Sequence, residues 1–204
     1  MKRILLTFMV IVAGLSAMAP DTFAQDSATK KKQRMDAWHK DMAEFRARSA
    51  HDREMQALAD SLASVQARAA LKNQDFVFEA DNVTFRSGNT VFVNSTTNFI
   101  SVKGNRAVVQ ISPSNFASGP NGVGGVTVDG MISDQRVTTD KKGRITYSKN
   151  VMGIGINAQV EIYMFPGSNN ASATVYPNFN SNTVWLQGTI VPYENSNVFE
   201  GTSL

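Results

Sequence analysis

The sequence predicts a mainly β protein: an antiparallel meander that closes as a flattened barrel or sandwich, preceded by a long N-terminal helical arm. Three observations carry this. No Gly or Pro occurs from Asp26 to Lys72. The spacing of apolar residues changes from three-and-four to two at about Asp75. Beyond that point short apolar runs are joined by Gly, Asn, Ser and Pro clusters, with no helical segment between them, and strands so joined pair antiparallel.

The arm spans residues 25–73 and is rich in Ala, Lys, Arg, Gln, Met and Glu, all good helix formers. Met35, Trp38, Met42 and Phe45 fall on one face. Met55, Leu58, Leu62, Val65 and Ala69 make a second stripe, in a different register, since Phe45 and Met55 are ten residues apart where steps of three and four call for seven or eleven. The mismatch places a kink, a break between two helices or a coiled-coil discontinuity near residues 49–52. The second stripe is expected to pack on the β-domain, and the first to fray or self-associate.

The β-rich domain covers residues 74–204. Its strand candidates are Phe76–Ala80, Val83–Arg86, Thr90–Val93, Phe99–Lys103, Arg106–Ile111, Gly125–Val128, Met131–Thr138, Arg144–Lys149, Ile154–Phe165, Ala171–Tyr176 and Thr183–Val191. In Ile154–Phe165, the side chains of Ile154, Ile156, Ala158, Val160, Ile162 and Met164 share one face and Asn157, Gln159, Glu161 and Tyr163 the other. That alternation marks a half-buried antiparallel strand. Gly104-Asn105 reads as a two-residue hairpin turn, because Gly accepts positive φ at its first position. Asp140–Gly143 and Pro166–Asn170 read as longer hairpin loops. About 130 residues bury a single adequate core without staples, and with no cysteine no disulfide is available.

The first residues follow the tripartite export pattern. Lys2 and Arg3 precede an apolar run, Ile4–Leu15, too short to span a membrane comfortably. Small residues follow, and a cut after Ala24 is preferred to one after Ala19, which Pro20 would follow; the alternative is an uncleaved signal anchor. Residues 1–24 are therefore expected to be a signal peptide, and the protein to act in the periplasm or outside the cell without a lipid-bearing cysteine. Removing Lys2, Arg3 and Asp21 takes the formal net charge from +3 to +2. So small an excess does not make a basic face for nucleic acid, and no later apolar run is long enough for a membrane span.

Chemistry-bearing residues are sparse. His39 and His51 lie on the arm twelve residues apart, pointing about 120° away from each other, so they cannot chelate one ion. The β-domain has no His or Cys, which excludes nucleophile systems built on either and imidazole or thiolate metal sites. Its carboxylates include Asp129, Asp134, Asp140 and Glu161; Asp129 and Asp134, flanking a tight turn expected at Gly130, are a candidate hydrolytic pair, with turn formation the blander alternative. Gly122, Gly124 and Gly125 precede a strand and do not sit between strand and helix, so they do not match a nucleotide-binding loop. No cofactor, metal or catalytic residue is expected. The ligand-binding candidates are Phe116 and Asn121, on the loop Ser112–Gly124, together with Tyr163 and Trp185. That loop reads as a plug folded onto the core, or as a lid or recognition element over a barrel mouth. Trp185, Tyr163 and Phe165 read as an outer aromatic strip or as a satellite core under the helix.

Several segments carry a family resemblance. They are Phe76-Val77-Phe78-Glu79-Ala80 after a helical leader, Ser101-Val102-Lys103-Gly104-Asn105, Gly124-Gly125-Val126-Thr127-Val128-Asp129-Gly130, Lys141-Lys142-Gly143-Arg144-Ile145, Ala173-Thr174-Val175 and Leu186-Gln187-Gly188-Thr189-Ile190. From Asp75 to about Tyr193 the chain resembles the domain-of-unknown-function family 4251, exported bacterial proteins many of which look like envelope lipoproteins. The resemblance implies no catalytic residues. The chain departs from it in lacking a lipobox cysteine and in its long leader. In that lineage Asp26-Ser27-Ala28 and Asp60-Ser61-Leu62 resemble a short O-glycosylation sequon.

The resulting expectation is a non-enzymatic envelope protein whose β-domain binds an apolar ligand or an envelope partner. The alternative is an assembly role through the helical arm, including self-association. A carboxylate-dependent hydrolase ranks last.

Overall fold

The computed structural model describes residues 21–113, 125–153, 157–178 and 183–202, with side chains from residue 29 onward. Two compact units are distinguished, Met1–Met55 and Gln56–Leu204. One helix, α1 (Asp21–Asn73), runs through residues 49–52 without interruption, so the break allowed by the register mismatch is absent. Both ends of that segment stay hydrogen-bonded within the helix. Ser49 Oγ donates to the Phe45 carbonyl at 2.9 Å, and Arg53 Nε donates to the Ser49 carbonyl at 3.0 Å.

Nine strands follow: β1 (Asp75–Phe85), β2 (Thr90–Phe92), β3 (Phe99–Lys103), β4 (Arg106–Ile111), β5 (Val126–Thr139), β6 (Ile145–Gly153), β7 (Asn157–Met164), β8 (Asn170–Pro177) and β9 (Val184–Pro192). They pair antiparallel in the order β2-β1-β3-β4-β5-β6-β7-β8-β9, and β9 returns to pair with β1. Eight strands therefore close a barrel, with β2 a ninth on the distal half of β1. Closure removes the free edges that an open meander would leave. At the Gly104 turn the glycine takes φ +58° between Lys103 and Arg106, as the hairpin reading requires.

Two pairs of expected strands are each one strand. Phe76–Ala80 and Val83–Arg86 merge in β1, which is irregular against β9 between Ala80 and Asn82. The expected turn at Gly130 lies inside β5. A Cβ at Gly130 would strike the Met152 carbonyl of β6; the glycine marks a close backbone approach between paired strands. The irregularity in β5 comes later, between Ser133 and Arg136, where Asp134 adopts φ +51°.

The interior is apolar. Ala158, Val160, Ile162 and Met164 of β7 are all buried, whereas Gln159 is exposed and Glu161 and Tyr163 are half-buried. The alternation expected of this strand holds over the described residues; Ile154 and Ile156 lie outside them. Outward positions on β6 and β7 are mostly polar, Thr146, Ser148, Asn150, Asn157, Gln159 and Glu161, with Met152 and Tyr163 among them. This is the reverse of the apolar-out pattern of a lipid-facing barrel.

Within the Gln56–Leu204 unit the last turns of α1 belong to this core. Ala67, Ala70 and Leu71 join the interior cluster and Ser64 is buried with them. The expectation that Met55, Leu58, Leu62 and Val65 pack on the β-domain is corrected: they are 54–62% exposed. At about 100° per residue they lie on the opposite side of the helix from Ser64, Ala67 and Leu71. The small residues allow the backbone to approach the barrel end, and Leu71 is the one large side chain that α1 adds to the interior cluster.

The C-terminal segment covers part of the outside. Val77, Phe99 and Val108 form a second buried cluster with Val191, Tyr193 and Val198 against it. Gln110, buried on that outer face, donates to the carbonyls of Thr97 and Phe199 at 3.1 and 2.9 Å and accepts from Gly201 N–H at 2.8 Å.

Candidate functional site

At the end of the barrel away from α1 lies a cavity of about 530 Å³, within the size range of small-molecule sites. Its walls are Phe85, Val109, Val128, Ala158, Val175 and Val184, with Arg86, Ser87 and Thr183 supplying polar groups. The wall is apolar for a reason visible in the register. Inward positions of consecutive strands meet there, Val175 standing opposite Val184 and Ala158 opposite Pro177.

Pro113 and Gly125 also line the cavity. They flank the stretch 114–124, so the loop singled out in the sequence is anchored at both ends on the barrel mouth. Its start is fixed by Asn98, which is fully buried; Asn98 Nδ2 donates to the Ser112 carbonyl at 3.0 Å and Ser112 N–H donates to Asn98 Oδ1 at 2.7 Å. Phe116 and Asn121 themselves lie outside the described residues, as do Gly122 and Gly124.

The other two candidates stand on the outer surface. Trp185 is 43% exposed and sits between Thr84 and Thr174. Tyr163 donates to Glu161 Oε2 at 2.8 Å, and that bond raises its pKa. Among the described residues the ring pairs are Trp38 with His39 and Phe76 with Tyr147. Trp185, Tyr163 and Phe165 all stand on the outside of the barrel, so they are not a core beneath α1.

The aspartates are not assembled as a pair. Asp129 and Asp134 are five residues apart on one strand, roughly 15 Å at a strand's rise, beyond the separation of glycosidase carboxylates. Asp129 is held at both oxygens by Arg106, from Nε at 2.9 Å and Nη2 at 2.7 Å; the same guanidinium reaches Glu200 at 3.1 Å. These bonds raise the Arg106 pKa, the Asp129 bond most. Asp134 accepts from Asn150 at 3.2 Å. Asp140 is a turn former: it accepts from the N–H groups of Lys142 and Arg144, and the Arg144 backbone bond chiefly lowers its pKa. His39 and His51 are both exposed on α1. Among the described residues no group of three His, Asp or Glu side chains is placed to hold a metal.

Among the described residues one charged side chain is buried, and the sequence did not single it out. Lys149 is 1% exposed and points into the barrel, its Nζ without a hydrogen-bond partner. Its nearest aromatic neighbours are the rings of Tyr147, 5.6 Å away, and Phe76, 5.8 Å away. Burial pulls its pKa down to about 7, because a charge without water is costly. The Tyr147 hydroxyl, two residues away on the same face, is also buried and unpartnered, and burial pushes it up to about 12. The signal was available: Lys149 falls on the parity of Ile145, Tyr147 and Val151, all of them buried.

A closed eight-stranded antiparallel barrel, capped at one end by the helix that leads into it and hollow at the other, defines the class of this domain. The family model described as Domain of unknown function (DUF4251) matches residues 59–190, and the chain belongs to that family. It is similar to the crystal structure of a DUF4251 family protein from Bacteroides eggerthii DSM 20697, with 49% identity and a TM-score of 0.62. That match covers 70% of this chain and 96% of the other. Comparison with curated proteins returned no match.

Proposed function

We propose that this is an exported, non-enzymatic protein of the cell envelope whose barrel binds an apolar ligand at its mouth. The observation that carries the reading is the apolar cavity of about 530 Å³ between β4, β5, β7, β8 and β9. A concave mouth of that size, lined mostly by apolar side chains with a few polar groups, has the make-up of a small-molecule site. The tripartite N-terminus supports export, and intact mass of the exported form should show Gln25 as its first residue. Among the described residues no helix is long and apolar enough to cross a membrane. The engagement of Asp129 by Arg106 argues against its use as a general acid or base. Organic extraction of the purified protein followed by mass spectrometry tests the ligand reading. A stoichiometric apolar compound is expected, and its absence together with failure to take up added apolar probes sinks the reading.

A second reading, assembly through the helix, draws on Met55, Leu58, Leu62 and Val65, which stay exposed at heptad spacing. Loss of oligomers when all four are replaced by Gln would favour it.

A further inference from the structure

Two buried donors with nothing to donate to stand on one face of β6 inside a barrel that is otherwise apolar. Native interiors satisfy such groups, so an orphan amine and an orphan hydroxyl together call for a missing acceptor. Among the described buried residues Lys149 is the one charged side chain. Around it stand Val160, its partner on β7, Val151 and Tyr147 on β6 and the Phe76 ring of β1, while on β5 the irregularity at Asp134 and Gln135 lies opposite; Tyr147 is the other titratable group buried beside it. Among the described residues no carboxylate is buried with the amine: Asp134 is exposed and accepts from Asn150.

The amine lies close to the cavity along the register. Lys149 stands opposite Val160, and Val160 opposite Val175, a wall residue. The next inward residue of β6, Val151, stands opposite Ala158, another wall residue. The lysine therefore stands one inward position below the wall of the mouth.

We propose that the ligand is an amphiphile with a carboxylate head, its chain in the mouth cavity and its head accepting from Lys149 Nζ and Tyr147 Oη. This rests on the mouth being a ligand site and names the chemistry of that site. The apolar wall would take any hydrocarbon and Arg86 stands at the mouth, whereas the two buried donors select for an acceptor at the inner end, which is why the Lys149 variant decides the claim. A carboxylate also resolves the electrostatics, because the ion pair restores to the amine the partner that burial removed. With the free amine titrating near 7, binding of a carboxylate above that pH takes up one proton from solvent, converting Nζ from amine to ammonium.

Calorimetric titration with dodecanoate and with dodecanol separates the two claims. Dodecanoate is expected to bind the native protein about tenfold or more tighter than dodecanol at pH 7, weakening as the pH rises towards 9. Lys149→Met should lose that preference while keeping dodecanol affinity, and should fold at least as well, since it removes a buried unpaired amine. Tyr147→Phe should reduce the preference partially. If dodecanol binds as well as dodecanoate, or Lys149→Met leaves dodecanoate affinity unchanged, the carboxylate inference fails and the mouth site stands. If neither compound binds, both fail.

Discussion

Arg68 of α1 donates from Nη2 to the Gly143 carbonyl at 2.8 Å, fastening the helix to the hairpin between β5 and β6. That bond, with Ala67 and Leu71 at 0% and 1% exposure, makes the last turns of α1 the lower closure of the barrel. Their removal opens the core to water at that end. A chain starting at Gln74 is expected to aggregate or melt without a cooperative transition, and one starting at Gln56 to melt cooperatively. Leu71→Ala should cost about 2–5 kcal/mol in urea unfolding, as buried leucines do. A cooperative transition from Gln74 onward would show that the barrel closes without the helix.

Facing along β7 sets up a comparison between neighbours. Val160 is fully buried and Glu161 half-buried, bonded to Tyr163 and Gln159. Val160→Asp places an unpaired carboxylate in the apolar interior and should cost several kcal/mol, a large part of a typical stability of about 5–15 kcal/mol. Glu161→Ala should cost less than about 1 kcal/mol. Urea melts of both variants decide it, since a one-residue slip would reverse the ranking.

Lys149 gives stability a pH dependence of definite sign. Its folded pKa, about 7, lies below the ordinary 10.5, so between those values the unfolded chain binds more protons and stability rises with pH. The rise should begin near pH 7 and is best followed to about 9.5, before unfolded tyrosine ionises. Lys149→Met should flatten the curve and gain several kcal/mol at pH 7, with roughly 5 as the ceiling for so large a shift. A native protein whose stability is flat over this range would mean that the amine has found a partner or water.

The junction between helix and barrel holds a strained residue. Gln74 follows α1 at φ +58°, its N–H reaching the Leu71 carbonyl at 3.3 Å and its own carbonyl accepting from Gly104 at 2.8 Å. That left-handed position favours glycine. Gln74→Gly is expected to stabilise by about 0.5–1 kcal/mol, measured as a raised urea midpoint with unchanged slope. A loss of stability would show that the glutamine side chain contributes more than its backbone costs.

Period-two alternation made much of the barrel legible before any coordinates: β7 faces as its sequence reads, and the Gly104 turn falls where expected. Legibility failed where one residue type serves two purposes. Gly130 reads as a turn, yet its lack of a Cβ serves strand contact with Met152. On α1 the bulky residues drew attention, yet close packing at the barrel end selected Ser64, Ala67 and Ala70, which no hydrophobic stripe advertises. The site divided in the same way. The loop from Ser112 was recognisable by composition and its ends do meet the cavity. Lys149 was passed over because a lysine in a strand is ordinarily outward, although its parity said otherwise.

Saturable binding of an apolar fluorophore such as N-phenylnaphthylamine, compared between the native protein and Ala158→Trp, tests the central claim most directly. The indole of the variant would occupy the wall between β7 and β8 where the cavity lies. One saturable site in the native protein, lost in a variant that still melts cooperatively, is the expected result. Equal binding by both proteins would place the probe elsewhere on the chain and contradict the mouth as the ligand site.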